Sequence, residues 1–282
     1  MYGRIEEFEK KHDFVICIDS DGTAIDSMDI KHKQCFGPIM VDIFGLEANK
    51  DAILARWNEI NLYSLTRGIN RFKGLAKALT EVNVQYQKIQ DIDALNKFAT
   101  TSSELSNASL KREIDSSPSE ILIKALEWSN KVNEAIASLN PDDKKSYLGV
   151  KECLEMASSF ADIIVLSSAN REAVLEEWEK EDLLQFISLI FAQDSGSKLD
   201  GLKLMLSKGY EANNILMLGD APSDLDAARA ANVNFYPILV RQEDQSWKDL
   251  KDKYLIIFKN GEFSNYASKF EEDFKNNLTP NL

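Results

Sequence analysis

The apolar pattern changes character twice along the chain. Residues 3–12 are charged throughout and read as a short helix, and Phe14-Val15-Ile16-Cys17-Ile18 follows as an unbroken apolar run. A run without alternation fits a strand buried on both faces, as in a parallel sheet. From about residue 26 to 146 the apolar residues recur at helical spacing, and no buried strand is predicted. Residues 27–46 read as a helix interrupted at Gly37-Pro38, and 51–61 as a second helix. Residues 62–74 read as a basic loop carrying Arg67, Arg71 and Lys73, followed by weaker helices over 74–82 and 91–100. Residues 101–119, rich in Ser, Asn and charge, read as a surface connection. Ser117-Pro118-Ser119-Glu120 has the makings of a helix start: a capping serine, a proline in first position and a capping-box glutamate. The helix it opens puts Ile121, Leu122, Ala125, Trp128, Val132, Ala135, Ile136 and Leu139 on one face.

From Tyr147 helix and strand alternate. Helices are predicted over 150–159, 171–181 (capped by Asn170), 198–208 (ended by Gly209) and 225–231. Strands are predicted over 162–166, ending at Ser167-Ser168, and over 188–192, 215–218 and 233–239. This spacing implies right-handed βαβ units and a parallel sheet. After Trp247 the pattern is poor and suggests two helices flanking 255–258. The expected architecture is α/β. A doubly wound, Rossmann-like core (residues 1–25 and 147–282) is interrupted by an inserted, mostly helical domain over 26–146.

Composition narrows the partners. A net charge of −13 over 282 residues argues against binding nucleic acid or an anionic membrane through bulk electrostatics, so an anionic substrate needs a local Arg or Lys cluster. No apolar run approaches a membrane span, and residues 1–13 lack the apolar stretch of a signal peptide. Cys17, Cys35 and Cys153 show no CxxC spacing and read as free thiols in a reducing cytoplasm. His12 and His32 are too few for a His-rich zinc site. Monomer and homodimer both stay open.

The chemistry gathers where a parallel sheet puts it, at the carboxyl ends of strands. The first strand ends in Asp19-Ser20-Asp21-Gly22-Thr23. Two acids one residue apart repel unless a cation or shared proton relieves them, and the glycine lets the backbone turn so that both face one point. A divalent cation and a phosphate would both fit there. Ser167, Lys198 and the pair Asp220 and Asp224 occupy the later strand ends. Singly, these read as a turn serine, a solvated lysine and helix-start acids. Together, four acids on two strand ends make a concentrated negative site that calls for a metal.

These residues resemble the haloacid dehalogenase-like hydrolases, mostly Mg²⁺-dependent phosphatases. The four motifs appear in order: a hydrophobic strand ending in DxDGT (Asp19–Thr23), a strand ending in Ser (Ser167), a Lys near a helix start (Lys198), and GDxxxD (Gly219–Asp224). Residues 22–27 look like the DGTxxDS form, while Leu148 stands where relatives usually carry proline. The resemblance covers residues 12–27 and 147–240. It implies Asp19 as nucleophile, Asp21 as general acid and then base, and an aspartyl-phosphate intermediate. It also implies Mg²⁺ held by Asp19, the Asp21 carbonyl and Asp220, with Asp224 a ligand or a neighbour of one. Ser167, Ser168 and Lys198 would hold the phosphate. Asp21 favours phosphoryl transfer over carbon–halide or phosphonate cleavage, which proceed without that acid. The insertion would be a C1-type cap like those of phosphoglycolate phosphatase and β-phosphoglucomutase-like enzymes, and Arg67 and Arg71 are candidates for reading the substrate. The implied substrate is a small phosphorylated metabolite. A phosphomutase stays open, and a silent phospho-ligand binding protein is disfavoured because no motif residue is lost. A phospho-receiver domain orders its acids and lysine differently.

Overall fold

The computed structural model describes residues 5–279. At its centre lies β1 (Phe14–Ile18), hydrogen-bonded in parallel to β2 (Ala161–Leu166) on one side and β4 (Ile215–Gly219) on the other. With β3 (Leu189–Phe191) and β5 (Asn234–Pro237) the order is β3-β2-β1-β4-β5, an all-parallel α/β sheet. The chain leaves β1 toward β2 and β3, then crosses back to β4. The crossing opens a crevice at the carboxyl ends of β1 and β4, where such sheets place their ligands. The strands are apolar without alternation because helices cover both faces, and Val15–Ile18 and all of β2 and β4 are buried.

The chain forms two compact units, one from the described parts of Met1–Ser27 and Pro141–Leu282, the other Met28–Asn140. The first contains the sheet, and Trp178, Trp247, Phe258 and Phe263 fill its core. The second is built from helices, the longer ones being Lys50–Leu62, Arg71–Gln85 and Glu120–Ala137, around Trp57, Trp128, Phe72 and Met40. Among the described residues no helix is long and apolar enough to cross a membrane. All three cysteines are free and buried.

Several elements differ from expectation for physical reasons. Residues 3 and 4 of the anticipated first helix lie outside the described residues. Beyond the short turn Ile5–Glu7, the N–H groups of Lys11 and His12 bond the Asp162 carboxylate instead of continuing a helix. Gly37-Pro38 does not interrupt its helix. A π turn, Lys31–Phe36, widens it just before the proline, whose ring would crowd an α-helical carbonyl, and Gly37 N–H bonds His32 O. Residues 101–119 are no mere connection: Asn107–Ser116 is a helix capped by Ser106. The following helix starts at Glu120, not at Ser117-Pro118. Arg71 and Lys73 belong to the first turn of Arg71–Gln85 rather than to a loop, because Asn70 caps that helix by accepting from Phe72 N–H. Residues 255–258 lie within continuous helical structure, Glu243–Asp249, Leu250–Tyr254 and Leu255–Lys259, rather than between helices.

Candidate active site

The main chain leaving β1 extends the ladder by one bond, Asp19 N–H to Leu218 O at 3.0 Å, and then turns sharply. The carbonyl of Ser20 accepts from the N–H groups of Thr23, Ala24 and Ile25 at 3.3, 3.0 and 2.9 Å. Gly22 sits at φ 81°, a left-handed conformation that costs a side-chain-bearing residue about 1–2 kcal/mol. The turn leaves Asp19 buried at 5% exposure with its carboxylate in the crevice.

At the end of β4, Asp220 and Asp224 are 1% and 0% exposed. Pro222 opens the helix Pro222–Ala231, and Asp224, in its first turn, accepts the Ala221 N–H at 3.0 Å. This fold-back needs Gly219, because a Cβ there would stand 2.3 Å from that of Asp224. Lys198 begins the helix Lys198–Ser207, which Ser197 and Asp200 cap reciprocally. Its Nζ lies 2.8 Å from Asp19 Oδ1 and is ion-paired with Asp224. Thr23 Oγ1 donates to Asp220 and stands 3.5 Å from Asp19 Oδ2.

Asp19, Asp220 and Asp224 thus each present one carboxylate oxygen, and the three oxygens lie within 4.8 Å of one another. Burial raises the Asp19 carboxyl well above the usual range; Lys198 pulls it down, and Asp224 and Asp220 push it up again. Asp224 is also raised, by burial first and by Asp220, against the pull of Lys198 and the Ala221 N–H. Burial alone would lower the Lys198 ammonium, but Asp19 and Asp224 outweigh it and hold it up. One lysine does not balance three buried acids, and a divalent cation with a preference for oxygen ligands fits the donor set.

The crevice does not gather every residue singled out by sequence. Asp21 was expected to share one point with Asp19. Its side chain is half-buried, stands outside the three-acid cluster, and accepts from the Ser27 hydroxyl. Ser167, buried at the end of β2, donates its N–H to Phe191 O at 2.9 Å, and its Oγ accepts the Ala169 N–H at 3.1 Å; Ser168 is exposed. In the helical unit the two arginines part company. Arg67 is buried, donates to Leu62 O at 2.8 Å, and its charge acts on Asp29. Arg71 Nη1 donates to Asn133 Oδ1 at 2.6 Å and to Ser129 Oγ at 3.0 Å, and its guanidinium lies over the Phe36 ring. Burial lowers its pKa, and no carboxylate pairs with it among the described residues.

Sequence reasoning missed four residues around the turn. These are Thr23 as the link between acids, Ser27 as partner of Asp21, Trp178, whose indole N–H donates to Ser20 Oγ at 2.8 Å, and Trp247, whose indole N–H donates to Thr23 O at 2.8 Å. Thr23 and Ser27 were legible as motif positions. The tryptophans carry no pattern that would have distinguished them from core.

No curated protein matches the sequence. Solved structures resemble the chain at low identity. A predicted phosphoglycolate phosphatase from Haemophilus somnus 129PT is 14% identical with a TM-score of 0.48, over 80% of this chain and 85% of that one. A hydrolase from Pseudomonas syringae is 18% identical with a TM-score of 0.42, over 83% and 90%. A haloacid dehalogenase-like hydrolase from Streptococcus pneumoniae is 12% identical with a TM-score of 0.43, over 83% and 90%. Likeness at this level says nothing of what this chain acts on. The family profile described as haloacid dehalogenase-like hydrolase matches residues 69–238. That match begins after Asp19–Thr23, so the first motif stands on its own sequence and geometry. It spans more than half of the chain, and the chain belongs to the haloacid dehalogenase-like hydrolases.

Proposed function

We propose that the protein is a Mg²⁺-dependent phosphatase that hydrolyses a small phosphorylated metabolite through an aspartyl-phosphate on Asp19. The observation that carries this reading is Lys198 held between Asp19 and Asp224, with Asp220 beside them, at the ends of adjacent parallel strands. Asp19, Asp220 and the main-chain carbonyl of Asp21 would hold the cation. Asp224, whose oxygens already take Lys198 and the Ala221 N–H, stands as a further ligand or orients the others. When bound, Mg²⁺ supplies charge that offsets the phosphoryl oxygens and the acid cluster.

The chain's own residues carry the steps. Asp19 attacks phosphorus, and the bond to the leaving oxygen breaks as Asp21 gives that oxygen a proton. Asp21 then takes a proton from water, which attacks phosphorus and releases Asp19. Lys198, with Ser167, Ser168 and nearby amides, holds the phosphoryl oxygens. The half-buried position of Asp21, apart from the three-acid cluster, supports a proton-transfer role distinct from that of Asp19. The helical insertion, residues 26–146, serves as a cap domain, and residues 1–25 and 147–282 form the core. Within the cap Arg71, rather than Arg67, which is buried and donates to Leu62 O, supplies the cation that reads an anionic part of the substrate. The three buried thiols fit a reducing cytoplasm. A phosphomutase would use the same residues with a different acceptor.

Hydrolysis of p-nitrophenyl phosphate tests the reading. Turnover should appear with Mg²⁺, vanish with EDTA, and be absent from Asp19→Asn. A metal-independent rate, or wild-type turnover by that variant, would overturn it.

A further inference from the structure

Two indoles reach the turn that carries Asp19 and Asp21: Trp178 bonds the Ser20 side chain, and Trp247 bonds the main chain itself. Trp247 Nε1 donates to the main-chain carbonyl of Thr23 at 2.8 Å, and both residues are 0% exposed. No backbone N–H among the described residues bonds that carbonyl. A buried carbonyl left without a donor is strongly disfavoured, so the indole fixes where the Thr23 main chain can lie. Thr23 is also the residue whose hydroxyl donates to Asp220 and approaches Asp19. A shift of its main chain would move the link between the acids of β1 and β4.

Trp247 is itself held firmly. In the helix Glu243–Asp249, Ser246 O accepts the Tyr236 hydroxyl at 2.8 Å, and Ser246 Oγ accepts the Leu239 N–H at 3.0 Å. Asp244 Oδ1 accepts the Leu148 N–H at 2.9 Å. Gly149, at φ 90°, passes close to Trp247, its missing Cβ 3.6 Å from the tryptophan's own. These ties fix the helix on either side of the indole. The helix lies beyond residue 238, where the family match ends.

We propose that Trp247 is a positioning residue for Asp19 and Asp220, and that the helical segment after residue 238 is a brace for the catalytic turn. The assignment rests on the phosphoryl-transfer reading above. A tryptophan that only fills the core contributes shape, whereas a positioning tryptophan contributes its N–H. The two separate when Trp247 is replaced by 3-benzothienylalanine, which keeps the bicyclic shape and puts sulfur in place of the N–H. Trp247→Phe is the simpler companion, and the isostere decides if that variant fails to fold.

Steady-state hydrolysis of p-nitrophenyl phosphate and Mn²⁺ binding followed by electron paramagnetic resonance are measured on each folded variant. The brace predicts that kcat falls about tenfold with KM within about twofold of wild type, since small misplacements of reacting groups are costly. It also predicts a Mn²⁺ dissociation constant raised several-fold. Wild-type kcat in the isostere overturns the proposal, whatever its melting temperature. If the wild-type protein hydrolyses no phosphate ester, the phosphoryl-transfer reading is what fails. Mn²⁺ binding then decides the brace alone: weaker binding without the N–H upholds it, and unchanged binding overturns it.

Discussion

Asp19 and Asp21 are the same residue type two positions apart, and their surroundings separate them. Asp19 is buried against Lys198 and two further acids, while Asp21 is half-buried and receives the Ser27 hydroxyl. If Asp21 is the proton donor, its removal should matter most where the leaving group needs a proton. Asp21→Asn should lower kcat by about 10³-fold for an alkyl phosphate and much less for p-nitrophenyl phosphate, within the usual range of acid–base contributions. Equal losses on both esters would remove it from that role. The arginines make a parallel case. Arg71→Ala should raise KM for substrates bearing a second anionic group by about tenfold or more and leave KM for p-nitrophenyl phosphate nearly unchanged, because its guanidinium has only neutral partners among the described residues. The acids and Lys198 were legible in sequence because charge at the end of an apolar strand is conspicuous. The direction of the Asp21 side chain and the burial of Arg67 against Leu62 O were not, since both depend on contacts that a one-dimensional pattern does not hold.

At the scale of elements, the strands could be read because burial on both faces leaves them continuously apolar, and the helices between them because signals such as Asn170 at a start and Gly209 at an end mark their limits. The helix Asn107–Ser116 escaped notice because it buries little beyond Ser109 and Leu110, too few apolar positions to set a period. The π turn before Pro38 escaped notice because its effect, a helix that continues past proline, contradicts the ordinary local rule. The passage from β4 into the helix Pro222–Ala231 is the tightest junction of the site, and Gly219 is what permits it. Gly219→Ala would drive a methyl into the Asp224 side chain. It should lower stability by about 2 kcal/mol, within the range for overpacking, and cut kcat by more than tenfold, checked by thermal unfolding and by p-nitrophenyl phosphate hydrolysis. A variant with wild-type melting and turnover would show that the junction is looser than the geometry implies.

For the molecule as a whole, a chain of net charge −13 concentrates three buried acids around one lysine at the crossing point of its sheet. That arrangement makes cation binding a stabilising event. Mg²⁺ at about 100 times its dissociation constant should add roughly 2.7 kcal/mol to the folded state, a rise of several degrees in Tm, reversed by EDTA and lost in Asp220→Asn. The parallel sheet and its crevice were legible in the order of strands and helices. The brace from the segment after residue 238 was not, because Trp247 looks like any other core tryptophan until its N–H is traced to Thr23. The central claim is that phosphorus passes through Asp19, and chemical trapping tests it most directly. The protein is quenched with sodium borodeuteride during turnover of p-nitrophenyl phosphate, and the peptide spanning residues 14–23 is read by mass spectrometry. Reduction of an aspartyl-phosphate should leave deuterated homoserine at position 19. Active turnover with position 19 unmodified, or the label on another carboxylate, would contradict the account.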